Sequence, residues 1–247
     1  MYRIWPLKVG SVVEPEPRIF YLGDCDKTVA LGNFCFLIER ERTSLDKFRM
    51  LVDTGVAKVD GDRFNPSMTQ SPDEEPLAQL SRHGVDPNCI ETVVATHLHW
   101  DHVSPTILQM PNAKLYVDPR EIQMVTNPPH PWFGNFMYNE VIEQLIRDGR
   151  VVETRDGEEV APGIRVMSTP GHTFGGQSVV VETASGKAVI TGDVCFTYRN
   201  LDEDLPGGFN CNLLECFNSL QKIRETADIA LPGHDLRMLE LYPGGAA

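Results

Sequence analysis

Apolar segments that stop directly before a histidine or an aspartate are the feature that most constrains the fold of this chain. RMLV, TVVAT, MSTPG, AVITG and ALPG each precede such a residue. Short segments rich in β-branched and aliphatic residues predict buried strands. Strand ends that meet at one edge of a sheet are where α/β proteins build functional sites. The pattern therefore predicts one sheet edge that carries Asp53, His97, His172, Asp193 and His234.

Helical patterns alternate with strand patterns along the chain of 247 residues. Residues 56–73 and 127–138 lack periodicity, which predicts long loops. No linker or internal repeat divides the chain, so we expect one domain over residues 1–247, of the α/β class, with strands between helices. The predicted helices cover residues 74–84, 104–111, 118–125 and 212–223. The predicted strands cover residues 33–40, 49–55, 91–97, 113–118 and 227–235, and three more lie in IRVMSTPGHT, QSVVVET and AVITGDV.

Charge and cysteine content narrow the classes of partner. The formal net charge is -13, which repels phosphate backbones and argues against a nucleic-acid substrate. No segment approaches the ~18 apolar residues that a membrane span needs, so we expect no membrane partner. The amino-terminal residues lack an apolar signal segment, and the six cysteines have no CxxC spacing. We therefore expect a cytoplasmic protein with reduced thiols, as a monomer or a homodimer.

The segment THLHWDH holds three of the seven histidines of the chain. Neutral imidazole and carboxylate are the side chains that bind zinc and similar metals, so this clustering predicts a metal site. In an extended chain, side chains two positions apart point the same way, and His97, His99 and Asp101 can then converge. His102 has the opposite parity and can join only where the chain turns, as a helix N-cap at Ser104 predicts.

One such segment can supply ligands to two adjacent metals. Two divalent cations close together need a shared anion, for which Asp193 is the natural choice. Nitrogen and oxygen ligands suit zinc foremost, and also iron, manganese or cobalt. The predicted first site comprises His97, His99 and His172, and the predicted second site comprises Asp101, His102 and His234, with Asp193 common to both.

Asp53, in the segment LVDTG, is expected to act beside the ligands rather than as one of them. Metal-bound histidines commonly donate their other ring N–H to a carboxylate, and this is the predicted role of Asp53. A simple turn aspartate is the alternative. His83 and His130 lie outside the metal motifs and are predicted not to bind metal.

Five motifs, in this order, resemble the metallo-β-lactamase superfamily. They are LVDTG (51–55), THLHWDH (96–102), PGHTFGG (170–176), TGDV (191–194) and PGHD (232–235). The resemblance implies a four-layer αββα sandwich with the metal site at one edge of the two sheets. Asp193 at the bridging position, rather than a cysteine ligand nearby, favours the hydrolase branches.

Within that superfamily, residues 170–183 and 192–210 are similar to segments of N-acyl homoserine lactone lactonases, which are quorum-quenching enzymes. Those lactonases usually have a tyrosine three residues after the bridging aspartate, where this chain has Phe196. The resemblance implies a hydrolase that opens a lactone ring by attack of a hydroxide bridging the two metals. Asp101 is the predicted catalytic residue, which would pass the hydroxide proton to the leaving alkoxide.

The substrate is predicted to be a small lactone or ester held by aromatic side chains. The predicted substrate contacts are Trp132, Phe133, Phe136, Phe196 and Tyr198, the last on the assumption of an extended chain beyond Phe196. Two alternatives stay open. One is a metallohydrolase of another ester or a thioester, similar to glyoxalase II, and the other is a non-hydrolytic metal or redox protein of the same fold.

Overall fold

The computed structural model describes residues 1–43, 46–57 and 63–246. Part of the predicted loop 56–73 therefore lies outside the described residues. The first sheet has six strands in the order β1-β2-β3-β4-β5-β6, antiparallel from β1 to β3 and parallel from β3 to β6. Its strands are β1 (Arg3–Pro15), β2 (Thr28–Thr43), β3 (Asp46–Val52), β4 (Thr92–Val94), β5 (Lys114–Val117) and β6 (Val151–Glu153).

The second sheet has five strands in the order β11-β10-β9-β8-β7. Its pairs are antiparallel except for β10 with β11, which run parallel. This parallel pair matters for the site, because β10 and β11 both end toward the same edge. The strands are β7 (Glu159–Ala161), β8 (Ile164–Ser168), β9 (Gln177–Thr183), β10 (Gly186–Ile190) and β11 (Ile229–Leu231).

Helices cover the outer faces of both sheets. In the part of the chain that the structure describes, no helix is long and apolar enough to cross a membrane. The α-helices are α1 (Glu16–Ile19), α2 (Pro76–Arg82), α3 (Pro119–Thr126), α4 (Asn139–Arg147), α5 (Tyr198–Asp202), α6 (Leu213–Thr226) and α7 (Met238–Leu241). Short 3-10 helices span Pro72–Glu74, Pro87–Cys89, Pro105–Gln109, Pro131–Gly134 and Gly192–Val194.

The core has the layers that the resemblance implies. Alternate residues of β2 face opposite ways, so Phe34 and Phe36 pack toward the second sheet while Leu37 packs toward the helices α2, α3 and α4. On the far side of the second sheet, Val189 packs against Leu220 of α6. Helix, sheet, sheet and helix therefore follow one another, and the predicted αββα sandwich is confirmed.

Several element predictions need correction. The residues predicted as a helix over 104–111 form only a 3-10 turn, Pro105–Gln109, although Ser104 does cap it. The predicted strand 91–97 is ordered as a strand only from Thr92 to Val94. Strand β1 and the helices α4 and α5 are not among the predicted elements, and the chain at Tyr198 is predicted to be extended.

Candidate metal centre and cleft

Three histidines converge at the first predicted site. His97 Nε2 and His172 Nε2 each lie 3.0 Å from His99 Nδ1. Ligands at 2.0–2.1 Å from a tetrahedral zinc lie about 3.3 Å apart, so this spacing suits a single cation. The elements explain the convergence, since His97 and His99 follow β4 and His172 follows β8.

The second predicted site is more open. Asp101 Oδ2 lies 3.9 Å from His102 Nε2 and 3.8 Å from His234 Nε2. The side chain of Asp101 is 14% exposed, whereas both histidines are buried. Asp101 is therefore the most exposed candidate ligand of the second site.

Asp193 stands between the two groups. Its Oδ1 lies 3.1 Å from His102 Nε2 and 3.0 Å from His234 Nε2. Its Oδ2 lies 3.5 Å from His172 Nε2 and 3.9 Å from His97 Nε2. One carboxylate thus turns one oxygen toward each site, which is the geometry of a bridging ligand.

The donor set fits a metal better than a hydrogen-bond network. His102 Nε2 and Asp193 Oδ1 are buried without a hydrogen-bond partner, although they lie 3.1 Å apart. Buried polar atoms in this state are costly unless something else satisfies them. A cation bound by both His102 Nε2 and Asp193 Oδ1 would satisfy these two atoms and explain why they lie so close together.

Contacts behind the histidines determine which ring nitrogen is free to bind a metal. His172 Nδ1 donates to the carbonyl of Phe209 at 2.7 Å, and His234 Nδ1 donates to the carbonyl of Gly32 at 2.8 Å. Since a carbonyl only accepts, these bonds leave Nε2 free as a ligand. His102 Nδ1 lies 2.7 Å from Asp53 Oδ2 in the same arrangement.

Asp53 is fully buried at the end of β3, where the backbone takes a φ of 61°. Its Oδ1 accepts from Thr96 N at 2.7 Å and its Oδ2 accepts from Thr96 Oγ1 at 2.8 Å. The carboxylate therefore orients both the loop after β4 and the ring of His102.

Burial and neighbouring charges shift the pKa values of the ionisable groups at this centre. Burial lowers the pKa of His97 and His99 well below the ordinary histidine value. Burial alone would raise the pKa of Asp193, but the His102 and His234 rings hold it well below its usual range. Burial opposes the charged form of His102, yet the carboxylates around it raise its pKa well above the ordinary value.

A tight turn brings Asp101 and His102 into place. His102 N donates to the carbonyl of His99 at 3.0 Å, so the chain turns directly after His99 rather than at Ser104. The alternation of side chains along an extended chain therefore explains why His97 and His99 point the same way. It does not explain the position of Asp101, which depends on this turn.

Glu121 is a buried residue near the candidate metal centre that the sequence analysis did not single out. It follows Asp118 at the spacing of a capping box, but only Asp118 caps α3, by accepting from Arg120 N. The Glu121 oxygens instead accept from Leu98 N at 3.1 Å and Gly175 N at 2.8 Å.

Glu121 thus joins the loop of His97 and His99 to the loop of His172. Burial raises the pKa of its carboxyl. A signal was available in the sequence: Glu121, Met124 and Val125 lie at helical spacing on the buried face of α3, where an unpaired acid is rare.

The candidate metal centre lies at the base of a cleft with about 550 Å³ of atom-free space, which includes the solvent at its open mouth. His99, Asp101, His172, Asp193 and His234 form its floor. The walls are mostly apolar, with a polar end. They comprise Val12, Glu14, Arg18, Ile19, Leu31, Phe64, Asn65, Trp100, Phe136, Phe196 and Phe209.

Of the aromatic residues predicted to contact substrate, Phe136 and Phe196 line this cleft. Trp132 is 55% exposed and stacks on Phe133 with ring centroids 4.4 Å apart, while Phe133 packs on Phe174. Neither Trp132 nor Phe133, which both lie in the 3-10 turn Pro131–Gly134, is among the residues that line the cleft.

The extended chain assumed at Tyr198 is not observed, and Tyr198 does not line the cleft. Helix α5 begins at Tyr198, so the chain is no longer extended there and Tyr198 does not share the side of Phe196. Its hydroxyl donates to the carbonyl of Ala230 at 3.1 Å, and its ring packs in the core between the sheets. The two remaining histidines also lie outside the site, since His83 packs on Trp5 and His130 caps a turn.

Comparisons with known proteins agree with this arrangement. A family model described as the metallo-beta-lactamase superfamily matches residues 29–234. An N-acyl homoserine lactonase of Bacillus thuringiensis is 26% identical over 237 residues, which cover 85% of this chain and 84% of that protein.

Solved structures show the same fold. A mutant of AiiA from B. thuringiensis, with N-decanoyl-L-homoserine bound at its active site, superposes with a TM-score of 0.81 at 21% identity, covering 99% of this chain and 98% of that chain. AidC, a dizinc quorum-quenching lactonase in complex with a product, superposes with a TM-score of 0.72 at 16% identity, covering 94% and 87%.

Proposed function

This chain belongs to the metallo-β-lactamase superfamily, and we propose that it is a dinuclear metal-dependent hydrolase that opens the ring of an N-acyl homoserine lactone or a related small lactone. The observation that carries the proposal is Asp193, which turns one carboxylate oxygen toward each of two groups of ligands. An apolar cleft above that centre suits an acyl substituent. Relatives named as N-acyl homoserine lactonases support the choice of lactone.

Two divalent cations, when bound, would lower the pKa of a water molecule held at the centre and polarise the carbonyl of the lactone. His97, His99 and His172 would hold one cation, and His102, His234 and Asp101 the other. A solved neighbour described as dizinc supports zinc, and iron, manganese and cobalt suit the same nitrogen and oxygen donors.

The residues of this chain divide the remaining work. Asp101 lies in the floor of the cleft, where its carboxylate can accept a proton from the attacking water and return it to the alkoxide that leaves the ring. Asp53 holds the His102 ring in the orientation that ligation needs. Phe136 and Phe196 exclude water around the acyl group.

We place the enzyme in the cytoplasm as part of the same proposal. All six cysteines lie in the described part of the chain and are free thiols, three of them buried. Reduced cysteines of this kind suit a reducing compartment.

The test is a panel of lactones, esters and thioesters, with products identified by mass spectrometry. We expect a lactone to gain one water molecule. Chelation of the metal should abolish that reaction, and later addition of metal should restore it. His172→Ala should lose activity and metal, whereas the matched variant His83→Ala should keep both. Rapid turnover of esters or thioesters without opening of any lactone would overturn the lactonase assignment.

A further inference from the structure

One charged pair interrupts the apolar wall of the cleft. Arg18, at the end of α1, places its Nη1 3.2 Å from Glu14 Oε2. Glu14 is 11% exposed and also accepts from the side chain of Asn65, whereas Arg18 is 44% exposed. All three residues line the same cleft as the metal ligands, so they form a polar end within reach of a bound substrate.

Arg18 is fixed relative to the metal centre through Phe209. Its guanidinium lies 4.9 Å above the Phe209 ring, and Phe209 N donates to the Arg18 carbonyl at 2.7 Å. The same ring lies 5.7 Å from the ring of His99 and 5.5 Å from that of His172. The Phe209 ring therefore lies between the Arg18 guanidinium and the rings of His99 and His172.

The backbone of Arg18 is held close to the segment that carries Phe209. A Cβ on Gly208 would lie 1.7 Å from the carbonyl oxygen of Pro17, so the segment before Phe209 packs directly against α1. Only glycine permits so close an approach of two backbones. This packing places the Arg18 side chain beside Phe209 and Glu14, which both contact its guanidinium.

Among the described contacts of the Arg18 guanidinium, the ion pair to Glu14 engages Nη1. Arginine has five N–H donors, so others can serve a ligand. Glu14 offsets the charge of Arg18, and the chain carries a formal net charge of -13, so a neutral acceptor fits this end of the cleft better than an anion.

We propose that Arg18 is a specificity-determining residue, which donates a hydrogen bond to a carbonyl or hydroxyl oxygen on the acyl substituent of the substrate. The preferred substrates are then lactones with an oxygenated acyl chain, ahead of those with a plain alkyl chain of equal length. This inference rests on the proposed function and names the substrate class of the same site. A plain alkyl chain would cover the guanidinium without giving it a hydrogen-bond acceptor. Removing a charged donor from water without a partner makes the binding free energy less favourable.

The experiment compares two N-acyl homoserine lactones of one chain length, with and without an oxo group on the acyl chain. For the zinc-loaded wild type we expect kcat/KM to be about tenfold higher with the oxo lactone, mainly through KM, since one hydrogen bond to a charged donor is worth about that factor. Arg18→Met keeps the unbranched stem on Phe209 and should bring the ratio near one. Arg18→Lys should restore part of it.

Arg147→Met is the matched control, because Arg147 forms an ion pair with Glu143 at the same i,i+4 spacing but on the exposed face of α4. It should leave the ratio at the wild-type value. Calorimetric binding of the two ring-opened products to the zinc-loaded protein provides a readout independent of turnover, and we expect the oxo product to bind more tightly to the wild type only.

The outcomes separate the two proposals. Equal use of both lactones by the wild type, or a ratio unchanged in Arg18→Met, would overturn the role of Arg18 and leave the lactonase assignment standing. Preferential binding of the oxo product without opening of any lactone would support Arg18 and overturn the lactonase assignment. Failure of both lactones to be opened, with failure of both products to bind, would overturn both.

Discussion

At the scale of single residues, Asp101 and Asp53 have different contacts and should fail in different ways when changed. Asp101→Asn removes the proton acceptor in the floor of the cleft and weakens the second site, so kcat should fall by about 10²–10⁴-fold. Asp53→Asn removes one of the oxygens that orient Thr96 and His102, which should weaken metal affinity about 10–100-fold.

Metal titration distinguishes the two variants. Excess zinc should restore most turnover to Asp53→Asn, because its site is only less well oriented, and should not restore Asp101→Asn. Turnover near that of the wild type in Asp101→Asn would refute the role assigned to Asp101.

Phe196 is the residue at which this chain departs from the lactonases that it resembles. Its ring stacks near His234, with centroids 5.7 Å apart, and lines the cleft. Phe196→Tyr adds a hydroxyl that can donate to the substrate carbonyl, so lactone opening should stay equal or rise by up to about tenfold.

Phe133→Tyr is the control for that experiment, since Phe133 packs on Phe174 outside the cleft lining. Its kcat/KM should match the wild type. A fall of more than about tenfold in Phe196→Tyr, with metal content intact, would show that the cleft requires an apolar surface there.

At the scale of elements, helix α3 holds together two loops that carry metal ligands. In Glu121→Gln only one side-chain oxygen remains, so one of the N–H groups of Leu98 and Gly175 loses its acceptor. An unsatisfied buried donor costs about 1–3 kcal/mol, which corresponds to a fall in Tm of about 2–12 °C for a chain of this size.

The first metal site should suffer more than the second, because Leu98 and Gly175 adjoin the loops of His97, His99 and His172. Metal content after dialysis checks this, with Glu143→Gln on the exposed face of α4 as the control. Loss of stability with both metals equally retained would reduce Glu121 to a packing role.

The loops at this sheet edge also explain why the prediction of strands alone did not give the positions of Asp101 and His102. Strand β4 ends at Val94, and the turn after His99 then decides where Asp101 and His102 lie. A sheet edge brings strand ends together, but a hydrogen-bonded turn selects the side chains that face each other.

At the scale of the whole molecule, ligands from both sheets meet at one edge, so bound metals link the two halves of the sandwich. His97 follows β4 of the first sheet, and His172, Asp193 and His234 follow strands of the second. Cations that bind only the folded state stabilise it by about 4 kcal/mol at a thousand times Kd, so chelation should lower Tm by on the order of 10 °C.

Elemental analysis and calorimetry check this expectation together. Protein purified without chelator should contain close to two transition-metal ions per chain, and metal addition should restore Tm. A maximum of one ion per chain after reconstitution would contradict the dinuclear assignment.

The sequence by itself determined the α/β fold class and the set of candidate ligands, and the resemblance of its motifs to a known superfamily implied the four layers. The class and the ligands are encoded locally: short apolar segments rich in β-branched residues predict strands, and histidines or aspartates placed directly after them must lie at a sheet edge. Asp53, His97, His172, Asp193 and His234 could therefore be identified before their distances were known. The assignment of Asp193 as the shared ligand also came from the motifs.

Only the tertiary structure decided the walls of the cleft and the supports behind the ligands. Arg18 and Phe209 are far apart in the chain and carry no local signal of their contact, while Tyr198 turns into the core because α5 starts there. Periodicity reports which face of an element is buried but not which distant element covers it. The residues that select the substrate depend on such long-range packing, so the sequence specified the chemistry of the site and the fold specified its shape.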